Sequence, residues 1–389
     1  MTAPLITTTS PYLRLLQKRF LGGSRGLPYS LLFYETPAHR ILTTSTPSQE
    51  GMTSTKKIQG LTQTRIQSLT LVPYSLPLSS DPVCFFSRHC RYNALEIIEH
   101  AILSATTSIV LNTFNLSSER LIQALVLKAQ QGVSVTVQYH HMLSNTWFKL
   151  CKPNIEIIPL GSKRSLFHKK TLIIDKQRVI TGTGNFTIAS LHRDVNLMMR
   201  VNSPELADLM EKNQKGKVCV GEQTICYRPM NNRLDGNEGK ILKEIQKASS
   251  SIQLGMCILT NESVIQAINE AAKRSVLVTI IIDPHKKAQT LEMLKSLNSQ
   301  ITLRIVTLPY WMHCKVCIID HKTVIVGSSN WSIRGLNANK EEVLIINPLT
   351  ESQKQDLNTW WHFLCENSTA ITYEEAENAD SSSSEQELS

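Results

Sequence analysis

The strongest constraint on the fold is that the chain contains one stretch twice. Residues 108–125 (SIVLNTFNLSSERLIQAL) align with residues 251–268 (SIQLGMCILTNESVIQAI) at an offset of 143. Gln123-Ala124 falls on Gln266-Ala267, Ala129 on Ala272, and Val135-Thr136 on Val278-Thr279. A period this long marks a duplicated domain, not a solenoid repeat. Each copy reads as a helix (94–103; 241–248), an apolar strand (109–114; 252–259) and polar capping residues (117–119; 260–262). A second helix follows to Gly132 or Ser275, then a β-branched strand (133–137; 276–282). This βαβ order predicts an α/β domain with a parallel or mixed sheet in each half.

Two further apolar runs follow each βαβ unit, and they carry the chemistry. Residues 167–185 (FHKKTLIIDKQRVITGTGN) and 312–330 (MHCKVCIIDHKTVIVGSSN) share His-x-Lys-x4-Asp-x6-Gly-[Ser/Thr]-x-Asn at an offset of 145. On a strand His168 and Lys170 leave the same face, as do His313 and Lys315. Asp175 and Asp320 fall where a short hairpin must turn. The returning strand ends at Gly182 or Gly327, with Asn185 or Asn330 in the loop beyond. A pseudo-twofold pairing of the halves would bring two His, two Lys and two Asn to one centre. Buried lysine is costly without an anionic partner, so matched His-x-Lys pairs are not ordinary core residues.

These motifs resemble those of the phospholipase D superfamily, and the resemblance spans residues 82–365. The second copy is the closer match, with Trp331 after Asn330 and Asn339-Lys340-Glu341 fitting a downstream N-x-E. In the first copy Thr183 replaces the usual Ser, and His192-Arg193-Asp194 stands where N-x-E is expected. The resemblance implies two similar α/β/α sandwich domains related by a pseudo-twofold, with the active site at their interface. It implies a catalytic set of His168, Lys170, Asp175, His313, Lys315 and Asp320. Asp175 and Asp320 are expected to tie down their hairpins. Asn185 and Asn330 would join the lysines on the phosphate oxygens, and Asp194 and Glu341 would orient the histidines. His168 is expected to form a phosphohistidine, with His313 as acid and base. No metal or other cofactor is implied.

Composition bounds the setting. The formal charge is +9, and the six acids of residues 374–389 hold it down from +15 on the rest. So basic a body suits an anionic phospholipid or membrane surface, or nucleic acid. Lys163, Arg164 and Lys169 form a basic run near the first motif, and Tyr310 and Trp311 precede the second. His140, His141 and His285 follow strand ends, where they could line the cleft mouth. Nine cysteines, an odd count, argue against a secreted disulfide scaffold. Cys314 and Cys317 should face opposite sides of a strand. No apolar run reaches membrane-spanning length, so a cytoplasmic or peripheral membrane protein is expected.

The expected organisation is an N-terminal extension over 1–80, for targeting, export or disordered, with Met52 an alternative start. Two domains follow, 81–215 and 216–370, then an acidic disordered tail over 371–389. With both motifs in one chain, a functional monomer is expected. The substrate stays open between a phospholipid head-group diester, a nucleic-acid backbone, and head-group transfer as in cardiolipin or phosphatidylserine synthesis. Degraded motifs would have signalled a binding module; both copies are intact.

Overall fold

The computed structural model describes residues 81–371 except residue 91 and residues 143–153, 231–235 and 287–295. The expected extension, and all of the expected tail beyond Ile371, lie outside the described residues. The first sheet contains β1 (Val83–Phe86), β2 (Ser108–Thr113), β3 (Ser134–His140), β4 (Ile155–Leu160), β5 (Lys170–Ile174), β6 (Arg178–Gly182) and β7 (Met198–Asn202). The second contains β8 (Gly216–Val220), β9 (Gln223–Met230), β10 (Ser251–Met256), β11 (Leu277–Ile282), β12 (Thr302–Val306), β13 (Lys315–Ile319), β14 (Thr323–Gly327), β15 (Glu341–Asn347) and β16 (Ser368–Ala370).

The first sheet runs β1-β7-β6-β5-β2-β3-β4, and the second runs β16-β12-β11-β10-β13-β14-β15-β9-β8. Without the outer strands β8 and β16, the two orders are the same. In each, three parallel strands from the βαβ segment join an antiparallel meander that carries the motif.

Helices α1 (Ala94–Leu103) and α2 (Glu119–Gln130) cover the outer face of the first sheet. After α3 (Pro204–Glu211), helices α4 (Asn237–Gln246) and α5 (Glu262–Lys273) cover that of the second. A short α6 (Ile333–Asn337) and a long α7 (Glu351–Glu366) complete the set among the described residues. Local chemistry sets the helix starts. Asn93 accepts from the N–H groups of Leu95 and Glu96, Asn261 from that of Val264, and Thr350 with Gln353 forms a capping box. The buried residues of α5, Val264, Ile265, Ala267, Ile268, Ala271 and Ala272, fall at helical spacing on one face.

Strand alternation divides the core. Leu172 and Ile174 pack outward against α1 and α2, whereas Ile173 packs inward. The inward cluster is common to both sheets. Ile173, Val179 and Met199 meet Val316, Ile318 and Val324 there, with Leu206 of α3 and Trp360 of α7. The expected α/β/α sandwiches are therefore fused along a shared middle layer. Cys314 and Cys317 fall in different clusters, on opposite faces of their strand.

The motif aspartates lie at the hairpin turns, away from the histidines. Asp175, Lys176, Asp320 and His321 all have positive φ, from 49° to 53°, as a tight two-residue hairpin turn requires. Asp175 accepts hydrogen bonds of 2.7–3.1 Å from the N–H groups of Thr106, Thr107 and Ser108 and both threonine hydroxyls. Asp320 does the same with Ser249, Ser250 and Ser251. Each carboxylate thus ties its hairpin to the segment entering β2 or β10. Both sit beyond the far end of the strand that Lys170 or Lys315 begins, which removes them from the catalytic set. Burial opposes their ionisation, but the N–H donors outweigh it and hold both carboxyls well below the usual range. Asp175→Ala should cost about 2 kcal/mol, read as a lower urea midpoint, with activity per folded molecule retained. Because the folded pKa is depressed, this stabilisation is complete above about pH 4, the unfolded value, and fades only below it.

Candidate active site

The two motifs are held together by reciprocal backbone bonds. The His168 N–H donates to the Lys340 carbonyl (2.9 Å), and the Lys340 N–H donates to Leu166 (2.7 Å). In the same way His313 donates to Val195 (2.9 Å), and Val195 donates to Trp311 (2.8 Å). Each histidine is positioned by the strand entry of the other half. The imidazole centroids lie 6.3 Å apart, with the ring planes at 74°.

Lys170 and Lys315 are 0% and 2% exposed, and each donates to the carbonyl of its own motif histidine. Phe114 meets His168 edge-on at 4.9 Å and stacks on His140 at 5.3 Å. His140 in turn accepts the Phe167 N–H at 3.3 Å. His140 is thus one contact removed from His168, while Trp311, 39% exposed, stacks on His285 at 4.6 Å.

The motif glycines are required by contact. A Cβ on Gly182, at φ +153°, would lie 2.3 Å from the Leu197 carbonyl oxygen; one on Gly327 would lie 2.1 Å from that of Glu342. β6 and β14 can therefore close onto β7 and β15, and Asn185 and Asn330 follow at the lysine end of the sheets. Each of these asparagines has a buried amide oxygen with no hydrogen-bond partner among the described residues.

The two histidines differ in what holds them. His168 Nδ1 lies 2.8 Å from both oxygens of Glu341, a carboxyl with 0% exposure that also accepts the Ser328 hydroxyl at 2.6 Å. His313 Nδ1 faces the Thr183 backbone carbonyl at 3.2 Å. Asp194 does not orient a histidine; it pairs with Arg193 at 3.1 Å and accepts the Trp311 N–H. Sheet register explains the correction. Gly182 pairs with Met198 and Gly327 with Val343, so Asn196 is the counterpart of Glu341. Counting fourteen residues on from each motif glycine finds both positions in the sequence.

A second buried carboxylate escaped the sequence reading. Glu342, 1% exposed, accepts the Lys170 N–H and the Thr181 hydroxyl at 3.1 Å each, and also the Thr171 hydroxyl. It fastens the second half to the strand beneath the first motif. Lys169, expected in a basic surface run, is 5% exposed and donates to Asn213 (2.6 Å) and Tyr227 (3.3 Å). Lys163 and Arg164 are exposed.

Charge in this enclosed volume is unbalanced. Burial, then the ammoniums of Lys170 and Lys315, holds His168 and His313 well below the usual imidazole range. Burial lowers Lys315 and brings Lys170 down to about 7. It also pushes Glu341 up to about 8, against the pull of Lys170. An anion placed between the lysines would favour the charged forms of both lysines and both imidazoles. Sulfate, which keeps its charge across this range, should therefore bind more weakly as pH rises through about 7. Lys170→Met should abolish that pH dependence, and isothermal titration calorimetry would measure both.

A family model described as cardiolipin synthase, PLD-like domain, matches residues 98–216 and again 241–361. Phospholipase D of Rickettsia prowazekii (strain Madrid E) is 34% identical over 119 residues, covering 30% of this chain and 58% of that protein. Mitochondrial cardiolipin hydrolase of Drosophila melanogaster is 29% identical over 150 residues, covering 32% and 58%. The chain thus spans less than two thirds of the length of either relative. Among solved structures, phosphatidylserine synthase of Haemophilus influenzae Rd KW20 superposes with a TM-score of 0.62 at 12% identity, over 80% of this chain and 92% of that one. Polyphosphate kinase of Porphyromonas gingivalis gives 0.55 at 13% identity, over 78% and 52%. These structures share the fold. Two family matches that together cover more than half of the chain, each spanning one copy of the motif, settle its membership: it belongs to the phospholipase D superfamily.

Proposed function

We propose that the protein hydrolyses the head-group phosphodiester of phospholipids to phosphatidic acid through a phosphohistidine. The observation that carries this reading is the pair of buried lysines beside two histidines whose centroids are 6.3 Å apart. A phosphodiester brings the anion this site lacks, and one phosphorus fits between the rings. Lys170 and Lys315, with the amides of Asn185 and Asn330, stabilise the charge that grows on the non-bridging oxygens.

In the first step the far nitrogen of His168 attacks phosphorus. The P–O bond to the head group breaks, and His313 gives its proton to the departing oxygen. In the second step His313 takes a proton from water, the water oxygen bonds to phosphorus, and the P–N electron pair returns to His168. Glu341 favours His168 as nucleophile, because its carboxylate stabilises the positive imidazole ring of the covalent adduct. A lipid substrate is supported by the names of the relatives, which include phospholipase D and cardiolipin hydrolase. The exposed Trp311, two residues before His313, suits a lipid interface. Among the described residues no helix is long and apolar enough to cross a membrane, and we assign attachment to the basic surface. Both motifs lie in one chain, so the active species is a monomer in this reading.

The test offers phosphatidylcholine and cardiolipin vesicles, beside single-stranded and duplex DNA and RNA, to the purified chain in EDTA. Phosphatidic acid should form, and His168→Ala or His313→Ala should each reduce the rate about a thousandfold. Cleaved nucleic acid with intact vesicles would overturn the lipid assignment, and phosphatidyl transfer to an added alcohol in preference to water would overturn hydrolysis.

A further inference from the structure

The two halves repeat their architecture, yet one position beside the histidines has changed character. Glu341 and Asn196 occupy equivalent sites on β15 and just before β7. Their surroundings match as well. The Ser328 hydroxyl donates to Glu341 and accepts the Glu342 N–H, while the Thr183 hydroxyl donates to Asn196 (2.8 Å) and accepts the Leu197 N–H (3.0 Å). The outcome for the histidine differs. Glu341 reaches His168, whereas the shorter Asn196 turns its amide to the Ser190 carbonyl (2.9 Å) and hydroxyl (3.1 Å). His313 is left with the neutral carbonyl of Thr183. Ser190 also accepts the Asn185 N–H at 2.9 Å, so Asn196 braces the phosphate-binding loop too.

Resting on the phosphodiesterase reading, we infer that Asn196 is a positioning residue that withholds a counter-ion from His313 and so divides the labour between the histidines. His168, backed by Glu341, holds the covalent bond. His313 carries a proton only in transit, because no carboxylate binds it in the charged form. The groups that face His313 are Lys315 on its own strand, with Lys170 and His168 from the other half, and all three oppose its protonation. The nearby acids are engaged elsewhere. Asp283 accepts the Met312 N–H (2.7 Å) and holds His285 (2.8 Å), and Asp194 pairs with Arg193. A carboxylate at position 196 would therefore be the first to contact His313 Nδ1, and it would raise the imidazole pKa by about one to three units.

The consequence falls on the second step, which needs neutral His313 as base. The experiment compares Asn196→Glu with Asn196→Gln, equal in length and different only in charge. The substrate is bis(p-nitrophenyl) phosphate, whose leaving group needs no acid. In Asn196→Glu the rise of adduct breakdown with pH should shift upward by at least one unit. Below that limb, a stoichiometric burst of p-nitrophenolate should appear, with the adduct mapped to His168 by mass spectrometry. Asn196→Gln should turn over more slowly, because it disturbs the Ser190 brace, but its pH limb should stay where the wild type has it. Thermal melts of both variants separate a folding defect from a chemical one, and a limb shift in the folded fraction is not produced by packing damage. Coincident Glu and Gln profiles would overturn the role of Asn196, as would an adduct on His313. Failure of the wild type to cleave this diester, or any lipid or nucleic-acid diester, would instead overturn the underlying reading.

Discussion

Four backbone hydrogen bonds decide whether this molecule has a site at all. His168 and His313 take their main-chain positions from Lys340 and Val195, each on the opposite half. A side chain anchored only by its own strand would inherit the error of packing one half on the other. Here the bond that fixes the histidine is also the bond that docks the halves, so docking and alignment are one event. The shared middle core supplies the area, with Ile173 and Met199 against Val316 and Val324. The reciprocal bonds supply the register, and Glu342 adds a buried carboxylate that spans both halves.

Enclosure then does electrostatic work. Two ammonium groups buried beside two imidazoles would be unstable in an ordinary core. They persist because each lysine has a backbone carbonyl to bond and because Glu341 lies among them. In the proposed reaction these groups already stand where the phosphodiester charge would develop, so no reorganisation is needed. The hairpin aspartates serve the same end from a distance. They brace the turns that follow β5 and β13, the strands that Lys170 and Lys315 begin.

Much of this was legible in the residues. The duplication, the βαβ order and the two motifs follow from spacing, because strands and helices impose periods that survive in sequence. Asp175 and Asp320 were readable as turn residues for the same reason. Less legible was anything set by pairing between distant segments. Asp194 looked like the counterpart of Glu341 because it is the acid nearest the expected place, but strand register puts Asn196 there. Lys169 resembled a surface base because it follows Lys163 and Arg164, yet alternation along the strand turns it inward to Asn213 and Tyr227. Glu342 gave no local signal, since its partners Thr171 and Thr181 are remote in sequence. The fused middle layer was hidden likewise, because hydrophobic pattern tells which face is buried but not against what.

The joining of the two halves in one polypeptide has a consequence for how such a site can evolve. In a symmetric pair of identical chains, every substitution appears twice, and both histidines must share one environment. Here Glu341 and Asn196 are separate codons. One could stay acidic and the other become an amide without either change being copied across the axis. Covalent linkage thus frees each half to be selected for a single step of the proposed reaction.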